Sequence, residues 1–415
     1  MVGTTIEWFD FFIYARAAGL IFAAQFFEPL GRSNPTLAEV VSWASLGISF
    51  LFRPLGAIAA GHLGDRLGRK PVLVITLVGM GLVTLCIGLL PTYATWGIAA
   101  PILLVLLRIL QGLSAGGEWG GAAMLAVEHA PTGRRGFFGS FPQVGVPVGM
   151  ALATVFILIL TSLMTPEGFE SWGWRIPFVS SVILIAVGFI IRRVVEESPA
   201  FEEMQELQGK ESAPLGTLMR EHWRKVIQCA LIFAGNNAIG YFVIAYFVSY
   251  GTKTVGYTRT EALTVTLIGA FVWLVATPLF GAVSDSIGRK RLFIWGYIAT
   301  IAWAIPSWLL VDSGNVVLFG VGVAGVAFLQ GSTYAQQSAL YAELFPVAVR
   351  LSGTSIGYAL GTILGGAFAP MIAALVVEAT GSSLAIAGYS IAVCLVSLAA
   401  VCAVPAGIQD RDLHV

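Results

Sequence analysis

The 415-residue chain is 57% hydrophobic and only 11% charged, with 23 basic and 23 acidic residues. Soluble globular chains carry about 25% charged residues, so this chain cannot wet the surface of a soluble fold of its size, and disorder and coiled coil are excluded with it. A polytopic membrane protein remains, provided the apolar residues fall in runs of about 20.

Twelve such runs are predicted, at about 3–28, 40–62, 71–91, 98–126, 137–164, 174–192, 225–250, 262–283, 292–311, 316–340, 351–378 and 384–404. Barrel strands would be shorter and would alternate with period two, so each run reads as a helix. The start, MVGTTIEWFDFF, has no basic region and no cleavage site and is not a signal peptide. The first run holds Glu7, Asp10 and Arg16. At ~1.5 Å per residue, Asp10 lies about 12 Å from the cytoplasmic edge. Arg53, in FRPLG of the second run, lies at a similar depth. The loop after it reads GHLGDRLGRK, Gly61 to Lys70. The fourth run carries Arg108, about 10 Å from the outer edge, and then Glu118 in GGEWGG. Gln143 sits in SFPQVGVPVG of the fifth.

The one long polar stretch, Arg192 to Lys225, divides the chain into six runs and six. The expected domains are therefore residues 1–194, a cytoplasmic connector at 195–222, and residues 223–415. In the second set, Asn236 and Asn237 fall near mid-membrane, Tyr241 follows a turn later, and Gln330 and Tyr334 lie on the tenth run. Four cysteines lie in apolar runs without metal-type spacing and read as packing residues.

Orientation follows from the basic residues. With the N-terminus in the cytoplasm, sixteen Lys and Arg fall on the cytoplasmic side and four on the outer side, and Arg16, Arg53 and Arg108 remain inside the membrane. The basic clusters are thus topology signals and not a nucleic-acid surface. The chain also repeats itself. Gly61–Lys70 recurs as GAVSDSIGRK, Gly281–Lys290, 220 residues on, and Leu110-Gln111-Gly112 recurs as Leu329-Gln330-Gly331, 219 on. More weakly, Glu128, Pro131 and Arg135 echo Glu343, Pro346 and Arg350. A six-helix duplication is expected, and carriers built of repeated halves bind substrate near the midplane between them.

The G-x-L-x-D-R-x-G-R-K loop resembles the signature of the major facilitator superfamily, and Arg108 to Gly112 resembles its second motif. IEWFDFFIY, FLFRPLG, QG…GGEWGGA and SWGWRIPF narrow the resemblance to the metabolite:proton symporter branch, which includes shikimate, 2-oxoglutarate, citrate and proline/betaine transporters. The resemblance spans nearly the whole chain. It implies twelve transmembrane helices in two pseudo-symmetric six-helix bundles, a bacterial inner (cytoplasmic) membrane location with both termini cytoplasmic, and a monomer working without a cofactor.

It also implies roles. Gly61, Asp65, Arg66 and Arg69, with Glu128 and Arg135, would form a latch closing the cytoplasmic side, and Asp285, Arg289, Glu343 and Arg350 would repeat it; the alternative is that the basic residues only enforce topology. The helix-1 acid and helix-4 arginine that couple protons in sugar-porter cousins match Asp10 and Arg108. Arg108 is then the partner of Asp10 or a substrate anchor, and a fixed structural pair is the alternative.

From the residues themselves, a charge inside the membrane costs about 2.5–3.5 kcal/mol and marks a task. Glu7 is a gate or an interfacial acid, and Glu118 a second proton site or a packed hydrogen bond. Arg16 and Arg53 suit a carboxylate, which an arginine grips with two bonds, against packing, snorkelling or a proline-freed carbonyl. Gln143, Asn236, Asn237, Tyr241, Gln330 and Tyr334 offer polar groups to a substrate or hold helices together. Position 327, the repeat counterpart of Arg108, is Ala, so the basic residue belongs to one half only.

The reading is a proton-coupled symporter importing a small organic acid or related metabolite. The alternatives are a proline/betaine symporter, a drug/proton antiporter and a passive facilitator. A proline/betaine carrier of this branch is expected to bear a long C-terminal coiled coil, and the chain stops at Val415. An enzyme is disfavoured, because the four histidines lie in loops or at the end of the chain and no P-loop is present.

Overall fold

The computed structural model describes residues 2–67, 69–116, 118–131, 133–194 and 214–410, and it leaves undescribed the side chains of some helical positions, 60–77 and Glu118 among them. All regular structure among the described residues is helical. Among the described residues, eight helices are long and apolar enough to cross a membrane, and Val78–Leu89 and Ala99–Ala115 are shorter apolar helices. The first helix, Val2–Ala17, continues through a π-turn at Ala18–Phe22 and carries Glu7, Asp10 and Arg16. That charge load sets it apart from the purely apolar spans.

Local chemistry fixes the ends of several helices. Thr258 and Glu261 form a capping box at the start of Arg259–Ile287, satisfying two backbone donors reciprocally. The helix stops at Gly288, whose φ of 95° admits little but glycine. This explains the glycine of SIGRK. Asn315 accepts from Val317 N and Leu318 N to open Val316–Tyr334.

Glycines set how closely the helices cross. A Cβ on Gly56 would strike the Leu113 carbonyl, one on Gly112 the Ser49 carbonyl, and one on Gly116 the Arg53 carbonyl. The second helix (Pro35–Leu67) and the fourth (Ala99–Ala115) therefore meet backbone to backbone, which only small residues permit. The second half repeats this. Gly331 closes on Ala276, and these two positions lie 219 and 220 residues beyond Gly112 and Gly56.

The halves join along two seams. The fifth helix (Arg135–Leu163) packs on the eighth (Arg259–Ile287), and the second packs on Val347–Gly361 and Ala369–Thr380. Gly136 and Gly281 face each other at one end of the first seam.

Candidate functional site

Asp10 is completely buried, and neither carboxylate oxygen has a hydrogen-bond partner among the described residues. Thr84 stands beside it. The Thr84 hydroxyl donates to the Met80 carbonyl (3.0 Å) and accepts from Gln111 Nε2 (3.0 Å). Gln111 Oε1 in turn accepts from Arg108 Nη1. Thr84 and Gln111 thus stand between the acid and the arginine, which form no direct pair.

Arg108 is held elsewhere. Its Nε donates to the Ser45 carbonyl (3.3 Å), and its Nη2 donates to the Leu46 carbonyl (2.9 Å) and the Ser49 hydroxyl (2.7 Å). Its guanidinium lies 3.8 Å from the Tyr14 ring centroid, and the Tyr14 hydroxyl sits 2.7 Å from Ser45 Oγ. The close glycine crossing of the second and fourth helices brings those carbonyls within its reach.

Glu7 and Arg53 form a buried ion pair of 3.2 Å between the first and second helices. The Arg53 guanidinium lies 4.6 Å from the Phe50 ring centroid, and its Nε has no partner. Tyr241 reaches in from the seventh helix (Trp223–Tyr241), with its ring 5.6 Å from both Phe11 and Phe50. Its hydroxyl and the Asn237 amide nitrogen are buried without partners. The two side chains lie one turn apart, and both press on Gly366. Among the described residues, three groups able to donate are therefore left unused here, Arg53 Nε in the first half and the Tyr241 hydroxyl and Asn237 amide in the second.

The other polar candidates are engaged. Asn236 Nδ2 donates to Thr333 Oγ1 (2.7 Å), and Gln330 Nε2 donates to the Asn236 carbonyl (2.9 Å). These two hold the seventh helix to the tenth. Gln143 accepts from Trp119 Nε1 (3.0 Å) and donates at 3.4 Å to the Tyr334 carbonyl, bridging the halves. Below the centre, Trp119, Tyr358, Phe233 and Tyr334 stack at centroid spacings of 3.8, 4.8 and 6.2 Å. Arg16 does not join the centre. Its Nη2 donates to Thr154 (3.3 Å), and its cavity is lined by residues of the first half alone.

Among the described residues, polar contacts join the halves at both ends of the bundle. At the end expected to be cytoplasmic, Asp285 accepts from Gly136 N (2.8 Å) and Phe137 N (2.9 Å), capping the fifth helix across the seam next to Arg135. Arg289 pairs with Asp285 (2.9 Å) and with Glu343 (3.4 Å), and Arg350 pairs with Glu128 (3.3 Å). Of the first-half counterparts Gly61, Asp65, Arg66 and Arg69, and of Glu118, the helical backbone is described and the side chains are not. At the opposite end, expected to be the outer one, Lys253 pairs with Glu39 (3.4 Å) and Arg259 with Glu170 (2.9 Å), and Ser249 donates to the Gly19 carbonyl (3.3 Å). Sequence reasoning missed Glu39, Glu170, Thr84, Ser45 and Ser49. The sparse outer basic residues were a signal, since two of the four make these outer pairs.

A helical membrane protein of two joined halves around a central buried polar cluster is built as a carrier. The sequence model of the Major Facilitator Superfamily matches residues 2–370, and the chain belongs to that family. It is a membrane transporter and not an enzyme. It is 41% identical to the inner membrane metabolite transport protein YhjE of Escherichia coli K12, over 90% of this chain and 86% of the relative. It is 35% identical to the shikimate transporter of the same organism, over 95% and 90%. A D-xylose-proton symporter of known structure superposes with a TM-score of 0.73 at 19% identity, covering 95% of each chain, a likeness of fold.

Proposed function

We propose that the chain is a proton-coupled symporter that imports a small carboxylate by alternating access between residues 1–194 and 223–415, as a monomer in the bacterial inner membrane with both termini cytoplasmic. The observation that carries this reading is Asp10, a fully buried acid with no bonded partner, next to the Thr84–Gln111–Arg108 network. Protonation at Asp10 takes a charge out of a low-dielectric interior, so proton and substrate can load together.

The substrate carboxylate displaces Glu7 from Arg53 and takes the unused donors of Tyr241 and Asn237, which come from the opposite half. Two nitrogens of one guanidinium suit two carboxylate oxygens. Closure of the outer pairs over the loaded site and release of the Asp285 cap then expose it to the cytoplasm. The two relatives transport a metabolite and shikimate by name, which agrees with a small polar substrate.

The test is uptake by proteoliposomes with the outside made acidic, using shikimate, 2-oxoglutarate, citrate, benzoate-type acids, proline and betaine. One carboxylate accumulates only with the gradient. Uptake of betaine or proline alone would move the substrate to a zwitterion, and uptake indifferent to the gradient would remove the coupling.

A further inference from the structure

The Arg16 side chain is 2% exposed, and its Nε and Nη1 have no hydrogen-bond partner. Its one bond goes to Thr154 Oγ1, whose own proton is committed to the Met150 carbonyl at 2.7 Å. The indole Nε1 of Trp174 is likewise buried and unbonded. Both residues line one small cavity inside the first half, walled otherwise by Ile13, Leu20, Ile157 and Phe169. No acidic residue among the described residues forms a salt bridge with Arg16.

This set is made of donors. Arginine and the indole nitrogen donate only, so the occupant must accept. The guanidinium adds a positive charge in an apolar wall, and burying such a charge uncompensated costs several kcal/mol. A water molecule would accept the bonds and leave the charge. An anion answers both needs, and the cavity admits a group of about the size of one water. A polyatomic carboxylate with an organic tail does not fit it. We propose that Arg16 and Trp174 form a binding site for a small monovalent anion of halide size, separate from the central cluster.

The site adjoins the outer closure. Phe169 walls the cavity, and its ring lies 5.3 Å from the Arg259 guanidinium of the other half, while the next residue, Glu170, holds Arg259 at 2.9 Å. An anion that fixes the Phe169 wall therefore favours the outer-closed form.

The experiment titrates purified full-length protein in detergent with sodium chloride against sodium gluconate at constant ionic strength, reading the midpoint of thermal unfolding. Chloride and bromide raise the midpoint saturably and gluconate does not, as expected for a ligand binding the folded form. Arg16→Gln removes the response. Trp174→Phe keeps the bulk and removes one charge-assisted bond, raising the half-saturating chloride about tenfold. It serves as the decisive variant if Arg16→Gln does not fold. Equal effects of chloride and gluconate on the wild type, or an unchanged chloride response in Trp174→Phe, would overturn the proposal. The readout needs no transport, so its failure is distinguishable from failure of the symporter reading.

Discussion

Arg108 and Asp10 divide between them the two ways of keeping a charge in a membrane. Arg108 has four bonds and an aromatic face, and Asp10 has none. A side chain so thoroughly bonded is suited to hold its place while a bare acid changes state. Arg108→Lys puts a point charge where a fork satisfied two carbonyls and a hydroxyl. Each buried group left unpaired costs about 1–3 kcal/mol, so this variant should lose thermal stability on that order and lose uptake, as a melting curve and a uptake assay on the same preparation will report. Gln111→Leu cuts the network at its middle and leaves Asp10 and Arg108 in place. Uptake should fall about tenfold or more, while protein still reaches the membrane. Unchanged uptake would exclude Thr84 and Gln111 from any part in coupling.

The helices owe their positions to glycines more than to charges. Gly112 and Gly116 lie against carbonyls of the second helix, and a branched side chain there has nowhere to go. Gly112→Val should destabilise by about 1–3 kcal/mol, the usual cost of overpacking. Gly388, in Leu384–Cys402, has open space where its Cβ would be. Gly388→Ala should therefore be neutral or stabilise by up to about 1 kcal/mol, the difference in helix propensity. Comparing the two melting curves separates packing from backbone freedom. The helices themselves were legible in the sequence, because hydropathy over about 20 residues is a local property. So was the relation of Gly112 to Gly331, because duplication leaves the spacing intact. The π-turns at Ala18–Phe22 and Phe242–Tyr246 were not. They arise where packing inserts a residue, and no local composition announces them. The site was legible by half. Asp10, Arg53 and Arg108 stood out as charges in apolar runs, yet Glu7 reaches Arg53, and Ser45, Leu46 and Ser49 reach Arg108, from other helices. Arg16 stood out equally and faces a different cavity, since a sequence gives depth far better than it gives the facing helix.

Among the described residues, ion pairs join the halves at both ends of the bundle, and the two sets differ in strength. The outer pairs are partly exposed, with Lys253 37% and Glu39 23% accessible. Pairs of that kind contribute about 0–1 kcal/mol. The cap at the opposite end is part-buried, joins two backbone amides and a buried arginine to one carboxylate, and bridges the halves. Breaking one partner of such an arrangement costs about 3–5 kcal/mol. Asp285→Asn should therefore shift the population toward the cytoplasm-open form far more than Glu39→Gln shifts it toward the outside-open form. Labelling rates of single cysteines placed on either face will measure this, with a change of about fivefold or less for Glu39→Gln. Equal shifts in the two variants would mean that the seams, and not the ion pairs, hold the faces shut. All three intramembrane arginines lie in the first half, and position 273, 220 residues beyond Arg53, is Trp. The duplication thus kept the scaffold symmetric and the charges one-sided, an asymmetry that the proposed symport uses by handling the proton in the first half.

The central claim is that Asp10 carries the coupled proton. It is tested most directly by comparing wild type and Asp10→Asn in proteoliposomes, measuring both gradient-driven accumulation and substrate exchange at equal pH. Wild type should accumulate substrate when the outside is acidic, and Asp10→Asn should exchange substrate but accumulate none. Accumulation by Asp10→Asn that still follows the pH gradient would contradict the account.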